Sequence, residues 1–224
     1  MLQSTRSTHP VYKLTQLPPY PGAALPSLIA SLSGAAQVSI TDHPSSSALY
    51  DPIQRTITHN VASEADRARI RIVPHEWGVL PSETVTENMG ESRETELRFA
   101  MENKGCFDRI ICAECLWMSD QHENLIRSLL WFLAPPSSSS SGESSGGRVW
   151  VTAGFHTGRH VVARFFDKAV AAGFVVEDVW ERDMNAEEEV TREWCPVREG
   201  EGPENRARWC VVACLRRGGI QERC

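Results

Sequence analysis

The chain has 224 residues, of which 41% are hydrophobic and 23% charged, an ordinary balance for a globular protein with a sizeable core. Its formal net charge of −6 disfavours nonspecific binding to nucleic acid or to an anionic membrane surface. The sequence has no apolar stretch typical of a secretory signal, and no run approaches the roughly 18 apolar residues of a transmembrane helix. Seven cysteines, mostly within apolar strand-like runs, predict reduced thiols and a cytoplasmic, or also nuclear, protein.

Helix-like and strand-like segments alternate along most of the chain. Residues 1–20 are rich in proline and threonine and predict an irregular tail. The predicted helices are Leu25–Ser33, Ser45–Ala62, Asp120–Leu133 and His160–Ala172, and the predicted strands are Gln37–Thr41, Ala68–Val73, Phe107–Trp117, Arg148–Ala153, Phe174–Glu181 and Arg208–Leu215. The folded domain is predicted to span 21–217, with a surface insertion at 81–105, a Ser/Gly loop at 135–147 and a tail at 218–224.

This order predicts an α/β fold with a doubly wound, mostly parallel, Rossmann-like sheet, because parallel strands need helical crossovers. The last two strands follow each other without a helix between them and predict a closing antiparallel hairpin. The first strand of such a sheet should precede Gly22, but Leu17-Pro-Pro-Tyr-Pro21 stands there. Proline removes the hydrogen-bond donors of a central strand, so we expect this strand to be degraded or missing.

The segment from Gly22 to Asp42 has the pattern of half a nucleotide-cofactor site. Gly22 permits a tight turn close to a ligand, and the N–H groups of the following helix are free at its start. Asp42 ends a buried strand about 20 residues later, where a carboxylate can accept hydrogen bonds from ribose hydroxyls. The structural alternatives are an ordinary loop glycine and a turn residue before His43-Pro44.

Further candidate residues follow the later strands. Trp77 could pack against an adenine ring, or could be a core tryptophan. Glu114 lies within Cys112-Ala-Glu-Cys115, at the end of the fourth strand, where ligands bind in such sheets. The C-x-x-C spacing also occurs in redox and zinc sites, but residues three apart on a strand point to opposite faces, and we expect no metal.

The loop Phe155-His-Thr-Gly-Arg159 follows the fifth strand at the same edge. His156 and Arg159 could contact a substrate there. A helix-capping loop with solvated side chains is the structural alternative.

With these motifs in this order, the chain resembles the seven-β-strand S-adenosylmethionine-dependent methyltransferases of the lysine methyltransferase type. Within them it is most similar to fungal proteins labelled nicotinamide N-methyltransferase-like. The resemblance covers roughly residues 22–217 and rests on the segments Gly22–Ile29, Val38–Pro44, Phe107–Met118 and Gly147–Arg159. It implies S-adenosyl-L-methionine as cofactor.

The resemblance also implies roles for single residues. Gly22 would belong to the glycine loop, Asp42 would hold the cofactor ribose, and Trp77 and Ala113 would line the adenine and methionine side. Glu114 stands where relatives usually carry aspartate. Relatives also have a further glycine and a longer region upstream, so the sequence is identified as an apparently truncated member.

The implied reaction is N-methylation, which needs alignment of a neutral nitrogen and exclusion of water rather than a metal or a covalent nucleophile. Glu114 and Trp117 are the candidate catalytic residues, and Phe155, His156 and Arg159 the candidate substrate contacts. The expected acceptor is a protein lysine or N-terminal amine. The alternatives are a small amine such as nicotinamide, or a truncated homologue that has lost the cofactor and acts only as a binding protein.

Overall fold

The computed structural model describes residues 13–16, 24–81, 90–136 and 146–218. Its described strands are Lys13–Gln16 (β1), Gln37–Asp42 (β2), Ile70–Pro74 (β3), Arg109–Ala113 (β4), Arg148–Gly154 (β5), Phe174–Asp183 (β6), Thr191–Glu193 (β7) and Trp209–Arg217 (β8). Its described helices are Leu25–Leu32 (α1), Pro52–Asn60 (α2), Glu64–Arg67 (α3), Glu91–Glu102 (α4), His122–Phe132 (α5), Arg159–Ala171 (α6) and Pro203–Ala207 (α7). None of these helices is long and apolar enough to cross a membrane.

The strands form one mixed sheet in the order β3-β2-β1-β4-β5-β8-β6-β7. Neighbouring strands from β3 to β5 in this order pair in parallel. Strand β8 lies between β5 and β6 and is antiparallel to both. The predicted doubly wound sheet and its closing hairpin are therefore confirmed. The connection between β6 and β8, where the sequence predicts no helix, contains the edge strand β7 and the short helix α7.

Strand β1 lies at the centre of the sheet, where the sequence predicts a degraded or missing strand within an irregular tail. It is only four residues long, but it pairs in parallel with β2 through Leu14↔Val38 and with β4 through Leu14↔Arg109. The tail prediction for 1–20 is therefore wrong at 13–16. The strand ends before Pro18 and Pro19, so it keeps backbone donors that proline would remove.

Helix α4 corrects the prediction of a surface insertion at 81–105. It is the crossover between β3 and β4, and it buries Glu96, Phe99 and Ala100. The Phe99 ring lies 5.4 Å from that of Phe132 in α5, between ring centroids. Most of the helix surface is charged, so its narrow apolar stripe gives a weak helical pattern in the sequence. Residues 82–89 of the predicted insertion are outside the described residues.

Two apolar cores cover the two faces of the sheet. Helices α4, α5 and α6 pack on one side, against Ile110 and Cys112 of β4. Helices α1 and α2 pack on the other, where Ile111 contacts their cluster. Because neighbouring residues of a strand point to opposite faces, β4 contributes to both cores. The predicted Ser/Gly loop at 135–147 and the tail at 218–224 fall largely outside the described residues.

Candidate active site at the carboxyl edge

The carboxyl ends of β1, β2, β4 and β5 meet at one edge of the sheet. From β1 the chain passes through α1 to β2 on one side, whereas β4 lies on the other side of β1. Such a reversal of strand order opens a crevice between the connections, and ligands of open α/β sheets bind there. The side chains that border this crevice are therefore the first candidates for function.

Asp42 lies at the end of β2 on one side of the crevice and is 3% exposed. Its Oδ1 accepts a hydrogen bond from the His43 backbone N–H at 2.7 Å, and its Oδ2 accepts one from Ser46 Oγ at 2.6 Å. Burial raises the pKa of Asp42, and these two hydrogen bonds oppose the rise. A carboxylate offers about four acceptor positions, so this one keeps capacity for two further donors.

Two non-glycine residues with left-handed backbone flank the same crevice. Ala24, at the start of α1, has φ of 50°, and Glu114, directly after β4, has φ of 54°; among the described residues these are the non-glycine positions with positive φ. This conformation costs roughly 1–2 kcal/mol for an L-residue, and such strain concentrates at functional sites. Gly22, the predicted loop glycine, precedes Ala24 but lies outside the described residues.

The strained backbone at Glu114 fixes where its carboxylate lies. The Glu114 N–H donates to the Thr152 carbonyl at 2.8 Å, which holds the turn against β5. Its side-chain Oε1 accepts a hydrogen bond from the Gly154 N–H at 2.9 Å, and Oε2 lies 3.5 Å from His156 Nε2. The side chains of Glu114 and His156 are 52% and 68% exposed, so the pair is open to an incoming group.

Glu114 and His156 line a cavity of about 350 Å³ at the ends of β4, β5 and β6. The far wall comes from Asp183 of β6 and Trp209 of β8, which are register partners. Sequence reasoning missed both, since they become neighbours of Glu114 only because β8 inserts beside β5. The Asp183 carboxylate is already paired with Arg208, whose hydrogen bond lowers the pKa of Asp183. Glu114 is therefore the acidic group of this cavity with the freer carboxylate.

Trp77 and Ala113 lie at the same edge without an observed ligand-binding role. The His75 N–H donates to the Asp42 carbonyl at 2.8 Å, which ties the segment leading to Trp77 to the end of β2. Trp77 is half-buried and packs against the core on the α5 side. Ala113 is the last residue of β4 and is half-buried. Their contacts with a cofactor stay predictions.

Arg159 and Phe155 serve the fold rather than the cavity. The Arg159 guanidinium is 6% exposed and donates to both Glu181 oxygens, at 2.6 and 2.8 Å, and to both Glu201 oxygens at the same distances. Burial lowers the pKa of Arg159, but these hydrogen bonds outweigh it and raise the pKa overall. Phe155 is buried and stacks on Trp194, with ring centroids 5.8 Å apart. Contact of either residue with a substrate stays a prediction.

Trp117 and the C-x-x-C cysteines complete the predicted set. Trp117 is 40% exposed and does not line the cavity beside Glu114. Cys112 and Cys115 are both buried, and burial raises the pKa of the Cys115 thiol, with Asp42 among the charges that add to the rise. In the described ranges, no three His, Cys, Asp or Glu side chains come together as metal ligands.

Solved structures resemble this fold at low sequence identity. A SAM-dependent methyltransferase from Aquifex aeolicus is 11% identical over 91% of this chain and 81% of its own, with a TM-score of 0.49. An arsenic(III) S-adenosylmethionine methyltransferase from Chlamydomonas reinhardtii is 12% identical over 94% and 64%, with a TM-score of 0.47. A Pyrococcus horikoshii protein is 13% identical over 94% and 59%, with a TM-score of 0.47. No protein-family model and no curated protein sequence matches the chain.

The chain spans less than two thirds of the length of the Chlamydomonas and Pyrococcus proteins. Similarity at this level does not determine activity, substrate or partners.

Proposed function

We propose that this chain is an S-adenosylmethionine-dependent N-methyltransferase with its site at the carboxyl edge of β1, β2 and β4. The observation that carries the proposal is the pair of left-handed residues, Ala24 and Glu114, on either side of the crevice where the strand order reverses. Strain of this kind is retained where backbone or side chain must meet a ligand. The resemblance of the sequence to methyltransferases supplies the identity of the ligand.

The residues present fit the cofactor in two respects. The Asp42 carboxylate keeps acceptor capacity for the two neighbouring ribose hydroxyls. The end of β4 at Ala113 has a small side chain, which leaves room for the remainder of the ligand beside the strand. When bound, S-adenosylmethionine supplies an electrophilic methyl group on a sulfonium.

Glu114 is proposed to position the acceptor nitrogen. The Gly154 N–H holds one of its oxygens, so the other is presented toward the cavity at a fixed angle. That oxygen can accept a hydrogen bond from an amine N–H and orient the nitrogen lone pair. His156, 3.5 Å away, is within reach of a proton released from the amine.

The open cavity supports a protein amine as the acceptor more than an enclosed small molecule. Small-molecule sites usually bury most of the ligand surface. Here the two polar groups that would meet the acceptor are more than half exposed, which suits a lysine side chain or chain terminus that projects from a larger surface. A small amine such as nicotinamide is the second candidate, on the sequence resemblance alone.

Cofactor binding is tested with S-adenosylhomocysteine by isothermal calorimetry and by the shift in melting temperature, which should rise by mass action. Asp42→Asn should weaken binding at least about tenfold, because a hydrogen bond to a charged group contributes roughly 1.5–3 kcal/mol. Asp167→Asn, at an exposed position of α6, is the matched control and should bind as the wild type does. Absence of binding at millimolar ligand would contradict the proposal and favour a binding protein without the cofactor.

The acceptor is tested by transfer of a radiolabelled methyl group to cell-lysate protein and, in parallel, to nicotinamide. We expect label in protein, and Glu114→Gln should lower kcat about a hundredfold, because the carboxylate orients the amine nitrogen toward the methyl group. Glu204→Gln, an exposed carboxamide exchange in α7, controls for charge. Unchanged turnover in Glu114→Gln would remove Glu114 from the mechanism, and label in nicotinamide alone would select the second candidate.

A further inference from the structure

A second cavity, of about 760 Å³, lies near the amino ends of the parallel strands β4 and β5, whereas the candidate active site lies at their carboxyl ends. Lys104 follows the end of α4, Trp131 lies in the last turn of α5, and Arg217 ends β8. Arg127 of α5 and apolar side chains including Leu80 complete the wall. The volume is in the range of small-molecule sites, which are mostly apolar with a few polar groups.

The three basic side chains of this cavity have no carboxylate partner within 4.0 Å among the described residues. Most other described lysines and arginines do have one. Among the residues that the structure describes, the lining of this cavity includes no acidic side chain. The whole chain has a net charge of −6, whereas the described side chains of this cavity carry three positive charges.

Helix ends compensate only part of this charge. Arg217 donates from Nη2 to the Leu130 carbonyl and, at 2.9 Å, to the Leu133 carbonyl, and so caps the end of α5. The C-terminus of a helix carries about half a negative elementary charge, so the ends of α4 and α5 offset about one of three positive charges. Burial lowers the pKa of Arg217, with no anion to oppose it. A positive balance therefore remains.

The apolar part of the cavity is held in place. The Trp131 indole N–H donates to the Ala100 carbonyl at 2.7 Å, which fixes the ring between α4 and α5. Lys104 Nζ lies 4.3 Å from the centroid of the same ring. Arg127 Nη2 reaches the Gly78 carbonyl at 3.4 Å. An aromatic surface and cations thus line one preformed space.

We propose that this cavity binds an amphipathic organic anion, with a planar apolar body and a sulfonate, carboxylate or phosphate group. The apolar body would contact Leu80 and Trp131, and the anionic group would lie between Lys104 and Arg127. This site does not depend on the proposed methyltransferase activity.

The probe for this site is 8-anilinonaphthalene-1-sulfonate, an aromatic sulfonate whose fluorescence rises in apolar surroundings. We expect saturable binding that weakens with added salt, and a shift of the Trp131 indole signal in a ¹H–¹⁵N spectrum, assigned with Trp131→Phe. The uncharged N-phenyl-1-naphthylamine should bind roughly 5–30-fold more weakly, since two partly exposed charge contacts together supply roughly 1–2 kcal/mol.

The double variant Lys104→Gln/Arg127→Gln should lose about tenfold in affinity for the sulfonate and little for the uncharged probe. The matched control is Arg98→Gln/Arg164→Gln, two exposed arginines without a described carboxylate partner. Binding that leaves the Trp131 indole unmoved, equal binding of both probes, or equal loss in the control variant would each overturn the proposal. The absence of binding would overturn it as well.

Discussion

Acidification should destabilise this fold through His75, whose ring is 1% exposed and lies directly after β3. Both ring nitrogens lack a hydrogen-bond partner among the described residues, and the ring packs against Phe132, with centroids 5.1 Å apart. Burial lowers the pKa of His75 to about 4, and the positive charge of Arg93 acts in the same direction. The folded protein therefore resists protonation of this ring, whereas the unfolded chain accepts a proton near pH 6.5.

The sign and size of the effect follow from linkage. The pKa of His75 is lower in the folded state than in the unfolded chain, so the unfolded chain binds the proton more readily. The free energy of unfolding is therefore unaffected by this histidine above pH 6.5 and decreases as the pH falls toward 4. The loss amounts to about 2 kcal/mol at pH 5 and about 3 kcal/mol at pH 4, from 1.36 kcal/mol for each pKa unit. This is a large share of the stability of an ordinary domain.

The assay is urea unfolding of the wild type and of His75→Leu at several values of pH. Leucine has a similar size and does not titrate. Relative to neutral pH, the free energy of unfolding of the wild type should therefore decrease by about 2 kcal/mol more than that of the variant at pH 5, and by about 3 kcal/mol more at pH 4. Carboxylates such as Glu181 titrate in both proteins and cancel in the difference. His59→Leu, at an exposed position of α2, controls for the loss of a histidine as such. A wild-type-minus-variant difference that stays constant between pH 7 and 4.5 would refute the reasoning.

Two further predictions concern packing. Arg159→Met should lower the free energy of unfolding by roughly 3–5 kcal/mol in urea, because it removes two charge-assisted hydrogen bonds from buried Glu181 and two from Glu201. Arg192, which bonds to both carboxylates, compensates only part of the loss. Glu181→Gln should recover part of that loss in the double variant; a loss below about 1 kcal/mol would contradict this. Gly78→Ala should cost about 1–2 kcal/mol, since its φ is +80° and a Cβ would lie 2.6 Å from Asn124 Oδ1. Adding Asn124→Ala to this variant should remove the steric contact but not the cost of the positive φ. Equal stability of Gly78→Ala and the wild type would contradict the prediction.

The order of helices and strands is predictable from the sequence because most elements carry their own apolar period. Val38 and Ile40 alternate with polar neighbours in β2, and α5 presents Leu125 and Leu129 on one face. Once the order is known, the carboxyl ends of the parallel strands must share an edge. The rule predicts that Asp42 and Glu114 lie at the same edge of the sheet.

Contacts distant in sequence are not predictable in the same way. Arg159 looks like a solvated loop cation, yet Glu181 is 22 residues away and Glu201 is 42 residues away, and both bury it. Nothing near Arg159 in the chain signals these partners. The same holds for Asp183 and Trp209, which reach the cavity of Glu114 only because β8 inserts antiparallel between β5 and β6.

The position of β1 changes the meaning of the proline segment. If Pro18 and Pro19 stood inside the central strand, that strand could not donate to both of its neighbours, and the crevice beside it would lose one wall. The described strand ends at Gln16 instead, ahead of both prolines in the sequence. The described part of β1 pairs in parallel with β2 as far as Ile40 and with β4 as far as Ile111. The titrations of wild type and Asp42→Asn with S-adenosylhomocysteine therefore test the cofactor site directly.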